Sequence, residues 1–399
     1  MTIENPLEQL SLTDLQKRTS AKWQAYPKDV LPLWVAEMDT TQAPVVKEAL
    51  YRAIELGDTG YPAGNPMGEA LIHFAAARWG WEDLSIEQIL PVTDVMSGIG
   101  ELLKLLTKPG DTVVLNNPVY TPFYGAARAA ECEIAEAPVG TDGRLDLDTL
   151  EETFKKLKDN NAVYLMSNPH NPGGVVHSRE ELEKVAQLAN EYKVRVISDE
   201  IHALLVMTGA KFTPYLSVAG AENDFALTSA SKAWNLAGLK AALLIAGSKA
   251  TKDLEKLAAG IKHGPSHIGI IAQTAAYRGG SEWLDALLAG LDSNRKLVTK
   301  LLAKHLPEAK YREPEGTYLA WIDCSALNLN EDTEKSAEPP KVSDLAGPAK
   351  YFLENAKVAL SSGHVFGSGG EDFVRLNFAT NQDILTEAIT RMGDSIKNR

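Results

Sequence analysis

The chain has 399 residues, 44% of them hydrophobic and 23% charged, proportions of a folded globular protein that exclude wholesale disorder. Forty basic against fifty-three acidic side chains give a formal net charge of −13, which repels phosphate backbones and argues against a nucleic-acid partner. Two cysteines, Cys132 and Cys324, build neither a disulfide framework nor a four-cysteine metal site, and point to a reducing cytoplasm.

In chain order, the opening MTIENPLEQL lacks the basic and apolar regions of a secretory leader. Residues 1–40 carry Pro, Trp and charge with little periodicity. Nowhere does an apolar run approach the ~20 residues that span a bilayer, so no membrane contact is expected. Apolar spacing predicts a helix over 45–56. A short apolar run at 89–92 reads as a buried strand. Thr93-Asp94-Val95-Met96-Ser97-Gly98-Ile99 then opens a helix that continues over 98–106. Free N–H groups at a helix start favour an anion such as phosphate. Neither GxGxxG nor GxxxxGK[ST] is present, which argues against dinucleotide and ATP sites.

Further buried strands are predicted at 112–115, 162–166, 194–198 and 241–246. The strand at 162–166 runs into Ser167-Asn168-Pro169-His170-Asn171-Pro172-Gly173-Gly174, a rigid turn able to present an Asn amide in a fixed direction. Plain turn chemistry is the alternative. Ser178 and Glu181 make a capping box for a helix over 179–192. The strand at 194–198 ends in Asp199, which places a carboxylate at the C-terminal sheet edge where open α/β sheets bind ligands. There it can hold a heteroaromatic nitrogen protonated, or merely cap the next helix. His202 flanks the same position or serves structure alone.

After the run 225–227 comes Ser229-Ala-Ser231-Lys232, with Gly238-Leu-Lys240 beyond it. Lys232 lies among small and apolar residues, and desolvation lowers a lysine pKa toward the neutral amine that a Schiff base needs. The two hydroxyls and Lys240 are groups that hold a phosphate. A surface lysine after a turn is the alternative. His263 and His267 stand four apart without an intervening carboxylate, so no metal is expected. No G-x-S-x-G elbow occurs, which disfavours a hydrolase of that type. A long helix is predicted over 283–306, a strand over 317–323, and an exposed polar excursion over 328–341. Arg375, in an apolar strand-like run, requires an anionic partner.

Strand–helix alternation predicts an α/β fold: a large domain, 45–285, with a mostly parallel sheet flanked by helices. Residues 1–44 and 286–399 are expected to form a smaller α+β domain from both chain ends.

Asn168-Pro-His-Asn-Pro-Gly-Gly, Ser198-Asp-Glu-Ile-His and Ser229-Ala-Ser-Lys, in this order and spacing, resemble the class I/II aminotransferase-fold family of pyridoxal-phosphate (PLP) enzymes, with similarity from 33 to 381. Leu33-Trp-Val-Ala-Glu-Met-Asp39, Thr59-Gly-Tyr61-Pro, Asn117-Pro-Val-Tyr120-Thr-Pro-Phe-Tyr124 and Gly238-Leu-Lys240 resemble its cystathionine β-lyase, or cysteine C-S lyase, branch. The resemblance implies PLP fold type I, pyridoxal 5'-phosphate as cofactor and an amino-acid thioether as substrate. The implied reaction is α,β-elimination of cystathionine and other cysteine S-conjugates to a thiol (homocysteine), pyruvate and ammonia, within methionine biosynthesis. A class I/II aminotransferase is the alternative, and a non-catalytic regulator on this fold a less favoured one.

By resemblance, Lys232 is the Schiff-base lysine, Asp199 the partner of the pyridinium nitrogen, and Asn171 the donor to the ring hydroxyl. Tyr120 stacks on the ring and His202 flanks it. Asp94, Val95, Met96, Ser229, Ser231 and Lys240 surround the phosphate. Tyr61, grouped with Lys232 and Asp199 as catalytic, reaches a neighbouring subunit's phosphate in a homodimer with shared sites. Arg375 clamps the substrate α-carboxylate, with Ala36, Tyr120 and Asn171 completing the substrate contacts. Two departures stand out. Thr93-Asp94 replaces the common Pro-Gly, so the Asp94 side chain is expected to point away from the phosphate. Glu37-Met38-Asp39-Thr40 replaces Asp-Met-Asp-Phe, a change expected to fall at the substrate entrance.

Overall fold

The computed structural model describes residues 3–257, 261, 264–329 and 344–399. Near the N-terminus lies the short strand β1 (Leu31–Pro32). Seven strands follow: β2 (Ile89–Val92), β3 (Thr112–Leu115), β4 (Glu133–Glu136), β5 (Ala162–Ser167), β6 (Arg195–Asp199), β7 (Phe225–Thr228) and β8 (Ala242–Ala246). They form one sheet in the order β2-β8-β7-β6-β5-β3-β4. The strands β3 to β7 pair in parallel. Only β8 breaks the pattern, antiparallel to both β2 and β7. Helices cover both faces, so β3, β5, β7 and β8 are buried along their whole length. That is why they read as unbroken apolar runs without alternation. β4 lies at the sheet edge with its two glutamates exposed.

The helix Val95–Leu106 lies so close to the sheet that a Cβ on Gly98 would overlap Leu227 Cδ2. As the stretch 93–99 implied, it starts at Val95 because Asp94 caps it, Oδ1 accepting from Ser97 N at 2.8 Å.

The C-terminal third adds β9 (Lys310–Tyr311), β10 (Leu319–Asp323), β11 (Val358–Ala359), β12 (Ser361–Ser362) and β13 (Phe373–Asn377). Four of these make an antiparallel sheet in the order β12-β13-β10-β9. β11 instead pairs in parallel with β1, joining the two ends of the chain. The strand expected over 317–323 begins at Leu319 because Thr317 holds a left-handed φ of 70°. The 25-residue helix Ser281–His305 runs through the expected boundary at 285/286 as one piece.

Of the polar excursion at 328–341, only Asn328 and Leu329 fall within the described residues, and Leu329 is buried. His263 also lies outside them. Among the described residues no helix is long and apolar enough to cross a membrane.

Candidate active site

A cavity of about 290 Å³ opens at the C-terminal edge of the parallel strands. Ser167 and Asp199, the last residues of β5 and β6, form its floor. Asp199 Oδ1 accepts from Ile201 N at 3.0 Å. Burial pushes this carboxyl up to about 7, against the opposing pull of the Ile201 amide and the Lys232 charge. The turn after β7 delivers Lys232. Burial and the Arg375 charge push its amine down to about 8, despite the counter-pull of Asp199 and Glu37. Its Nζ donates to Ala36 O at 2.8 Å. His202 also lines the cavity, edge-on to Tyr318 with ring centroids 6.1 Å apart. Burial, with the Lys232 and Arg375 charges, keeps its imidazole neutral, and its Nδ1 is buried without a partner.

One end of the cavity suits an anion. Asp94 takes the cap position, so Val95 and Met96 keep N–H groups with no intrahelical acceptor. Asp94, expected to turn from the phosphate, finds its counterion at this end of the cavity. It lines the cavity, and its Oδ2 accepts from Lys240 Nζ at 2.8 Å. Ser229 is fastened into the turn: its hydroxyl donates to Ala241 O at 2.8 Å and accepts from Ser231 N at 3.1 Å. Gln273 stands beside it, Oε1 lying 3.1 Å from Ser229 Oγ and accepting from Ala230 N at 2.9 Å. Of these two serines, Ser229 has its hydroxyl engaged, and Ser231 is the one whose hydroxyl is left for a ligand.

Arg375 guards the other end. It sits in mid-β13, buried, with its guanidinium 4.9 Å from the Phe366 ring. Nη1 donates to Asn171 Oδ1 at 3.1 Å, and Nη2 to Trp34 O and Ser361 Oγ, each at 3.2 Å. Nε is buried without an acceptor. These acceptors are all neutral, and burial lowers the guanidinium only to about 10, so a full positive charge awaits an anion. Because Oδ1 of Asn171 is taken by Arg375, its Nδ2 is left for a ligand. Tyr120 lines the cavity between these groups, its ring edge-on to Phe123 at 5.7 Å.

The segment 34–38 borders the cavity outside any helix or strand. Each of its five carbonyls accepts from a side chain. Ser361 Oγ and Arg375 Nη2 donate to Trp34 O, and Asn377 Nδ2 reaches Val35 O and Glu37 O, both at 2.7 Å. Tyr318 OH joins Lys232 on Ala36 O at 2.9 Å. Lys22 donates to Glu37 O, and Arg18 and Asn235 to Met38 O. A buried ion pair anchors the far end: Lys22 Nζ lies 2.7 Å from Asp39 Oδ2, and Trp23 Nε1 donates to Asp39 Oδ1 at 2.9 Å. Lys22→Met leaves the Asp39 carboxylate only the Trp23 donor and the Arg18 guanidinium 4.0 Å away, so a loss of about 3 kcal/mol in unfolding free energy is expected, read by denaturant titration. Glu37, expected at the entrance, turns its carboxylate to the Ser20 hydroxyl at 2.6 Å and does not line the cavity. Thr40 is buried.

The structure thus gathers Ala36, Asp94, Val95, Met96, Tyr120, Asn171, Asp199, His202, Ser229, Ser231, Lys232, Lys240 and Arg375 around one cavity. Tyr61 is not among them; in the single chain it stands 88% exposed, away from the lining residues. Unforeseen were the supporting groups Ser361, Asn377, Tyr318, Gln273 and Lys22. Only Asn377 had a readable signal, since it shares a strand face with Arg375 two positions earlier. Among the described residues no cluster of three or more His, Cys, Asp or Glu is placed to hold a metal.

The model of the aminotransferase class I and II family matches residues 28–392. A Mycobacterium leprae relative is 54% identical over 99% of both chains. The cystathionine beta-lyase of Corynebacterium glutamicum is 33% identical over 96% of this chain and 98% of its own. Among solved structures, the PLP-bound C-S lyase of Staphylococcus hominis superposes with a TM-score of 0.85 at 26% identity, covering 99% of this chain and 98% of that one.

Proposed function

The chain belongs to the aminotransferase class I and II family, and on that premise we propose that it is a PLP-dependent carbon–sulfur β-lyase, converting cystathionine and water to homocysteine, pyruvate and ammonia. One observation carries this reading: a desolvated amine, a buried carboxylate and a buried, anion-seeking arginine line the same cavity as an anion-ready helix start.

The residues fit PLP. Lys232 would hold its aldehyde carbon, Asp199 its ring nitrogen and Asn171 Nδ2 its ring hydroxyl. Tyr120 would cover the ring, while Val95 N, Met96 N, Ser231 and Lys240 would hold the phosphate. When bound, the group acts as a sink for the electron pair released at the substrate Cα. Lys232, freed by the incoming amino group, takes the Cα proton while Ala36 O orients its amine. Asp199, buried, would be held ionised by a positive charge on the ring nitrogen it partners, which would offset the cost of burying that carboxylate. Arg375 binds the substrate carboxylate with its unpaired donors. The Lys232 ammonium then returns a proton to the departing sulfur.

Lyase is favoured over aminotransferase because the resemblance to the C-S lyase branch is spread over several segments of the chain, and a relative named cystathionine beta-lyase matches it over 96% of its length. Incubation with cystathionine should release thiol, pyruvate and ammonia together. Exchange between an amino donor and a 2-oxo acid, without thiol, would instead establish an aminotransferase; neither reaction would leave a regulator.

We also place the protein in the cytoplasm, where its two free, buried thiols stay reduced, and as a homodimer. Tyr51, Ile54, Leu56 and Tyr61 are large apolar side chains left exposed in the single chain, and a second copy would cover them.

Asp199 supplies a pH test on the cofactor-free protein. Its folded pKa of about 7 exceeds the ~4 of an unfolded aspartate. Its contribution to stability is therefore complete below pH ~4 and lost as pH rises through 7. Relative to wild type, the melting temperature of Asp199→Asn should climb between pH 5 and 8; a constant difference would count against this assignment.

A further inference from the structure

We propose that Asp94 is an internal surrogate for the cofactor's phosphate, holding Lys240 when the site is empty and competing for that cation when PLP binds. The inference rests on the PLP reading above and concerns how tightly the cofactor is kept.

Capping the helix Val95–Leu106 needs only one side-chain oxygen, and asparagine caps about as well as aspartate. Asp94 Oδ1 performs that task through Ser97 N at 2.8 Å and Ser97 Oγ at 2.9 Å. Its second oxygen is spent otherwise, on Lys240 Nζ at 2.8 Å. The pair links residues 146 positions apart, and both line the cavity. Burial disfavours the Asp94 charge, but Lys240 and Ser97 outweigh it and hold the carboxyl ionised.

Three consequences follow from geometry and charge. The Ser97 bonds anchor the carboxylate, so it has no free swing away from an arriving phosphate. The backbone of Lys240 is fixed as well, at a φ of 49° with its carbonyl accepting from Ser266 N at 2.9 Å; Lys240 must reach the phosphate from beside Asp94. Finally, the field of the helix start, which attracts an anion, already contains one. The Asp94–Lys240 pair is neutral overall, so an incoming phosphate meets a cation whose charge is already balanced. Like charges sharing one cation repel appreciably even under the screening that this partly exposed pair experiences.

The test is cofactor retention, not turnover. Asp94→Asn keeps the cap and removes the charge. The variant should bind PLP about ten-fold more tightly, measured by fluorescence titration of the cofactor-free full-length chain. It should also lose its yellow colour more slowly when the holoprotein is diluted. Inorganic phosphate should raise the melting temperature of cofactor-free Asp94→Asn more than that of wild type, and added salt should narrow the gap. Lys240→Met should weaken PLP binding. Asp94→Ser, a second uncharged cap, guards against a folding defect in the first variant and should show the same tightening. Equal or weaker PLP binding by both Asp94 variants overturns the inference while leaving the PLP reading intact. Failure of wild type itself to bind PLP overturns that reading instead.

Discussion

Lys232→Ala should abolish the yellow colour of lysine-bound PLP and lower kcat by about 10³-fold or more. The expectation follows from the two tasks concentrated in one amine. Burial and the Arg375 charge hold it near 8, so an appreciable neutral fraction exists at physiological pH to form the covalent link. The same amine is the base at Cα and the acid at sulfur. Lys232→Arg should be no better, because guanidinium stays protonated and offers neither nucleophile nor base. Absorbance spectra and steady-state rates of the two variants check this. A yellow, active Lys232→Ala protein would end the mechanism.

Arg375→Ala should raise KM for amino-acid substrates by about 100-fold, with a smaller change in kcat and little change in PLP affinity. A buried, hydrogen-bonded charge pair is worth about 2–5 kcal/mol when one partner is removed, and the Nε and Nη donors face no competing carboxylate in the hydrogen bonds described. Arg375→Lys should recover only part of the loss, since an ammonium cannot reproduce a bidentate fork. A second readout separates this role from simple packing. The Arg375 charge is the largest electrostatic contribution depressing the Lys232 amine, so its removal should shift the alkaline limb of the Lys232 titration upward. Intact KM with lost PLP binding would reverse the assignment.

Much of this architecture was legible because the chain buries its strands on both faces. Runs such as Thr112–Leu115 and Phe225–Thr228 have no polar side to disguise them. The edge strand Glu133–Glu136 escaped notice for the opposite reason, as half its surface is wet. The cavity-lining polar residues stood out where a strand end met a turn, at Asp199, Asn171 and Lys232. Groups acting at one remove did not. Gln273 looks like any polar residue in a helix until its amide is found holding Ser229 and the Ala230 N–H. The partner of Asp94 was not legible either, because sequence shows a charge but not its counterion, which lies 146 positions away.

The side-chain-to-carbonyl ladder along 34–38 bears on inherited variation. Every amino acid supplies the same peptide oxygen, so Lys232 and Arg375 are steered by atoms that no ordinary missense change can delete. Drift at Val35 or Ala36 should therefore be tolerated while bulk permits. Purifying selection should fall instead on the distant donors, Asn377, Tyr318, Ser361 and Lys22, whose identity alone keeps the strap in place.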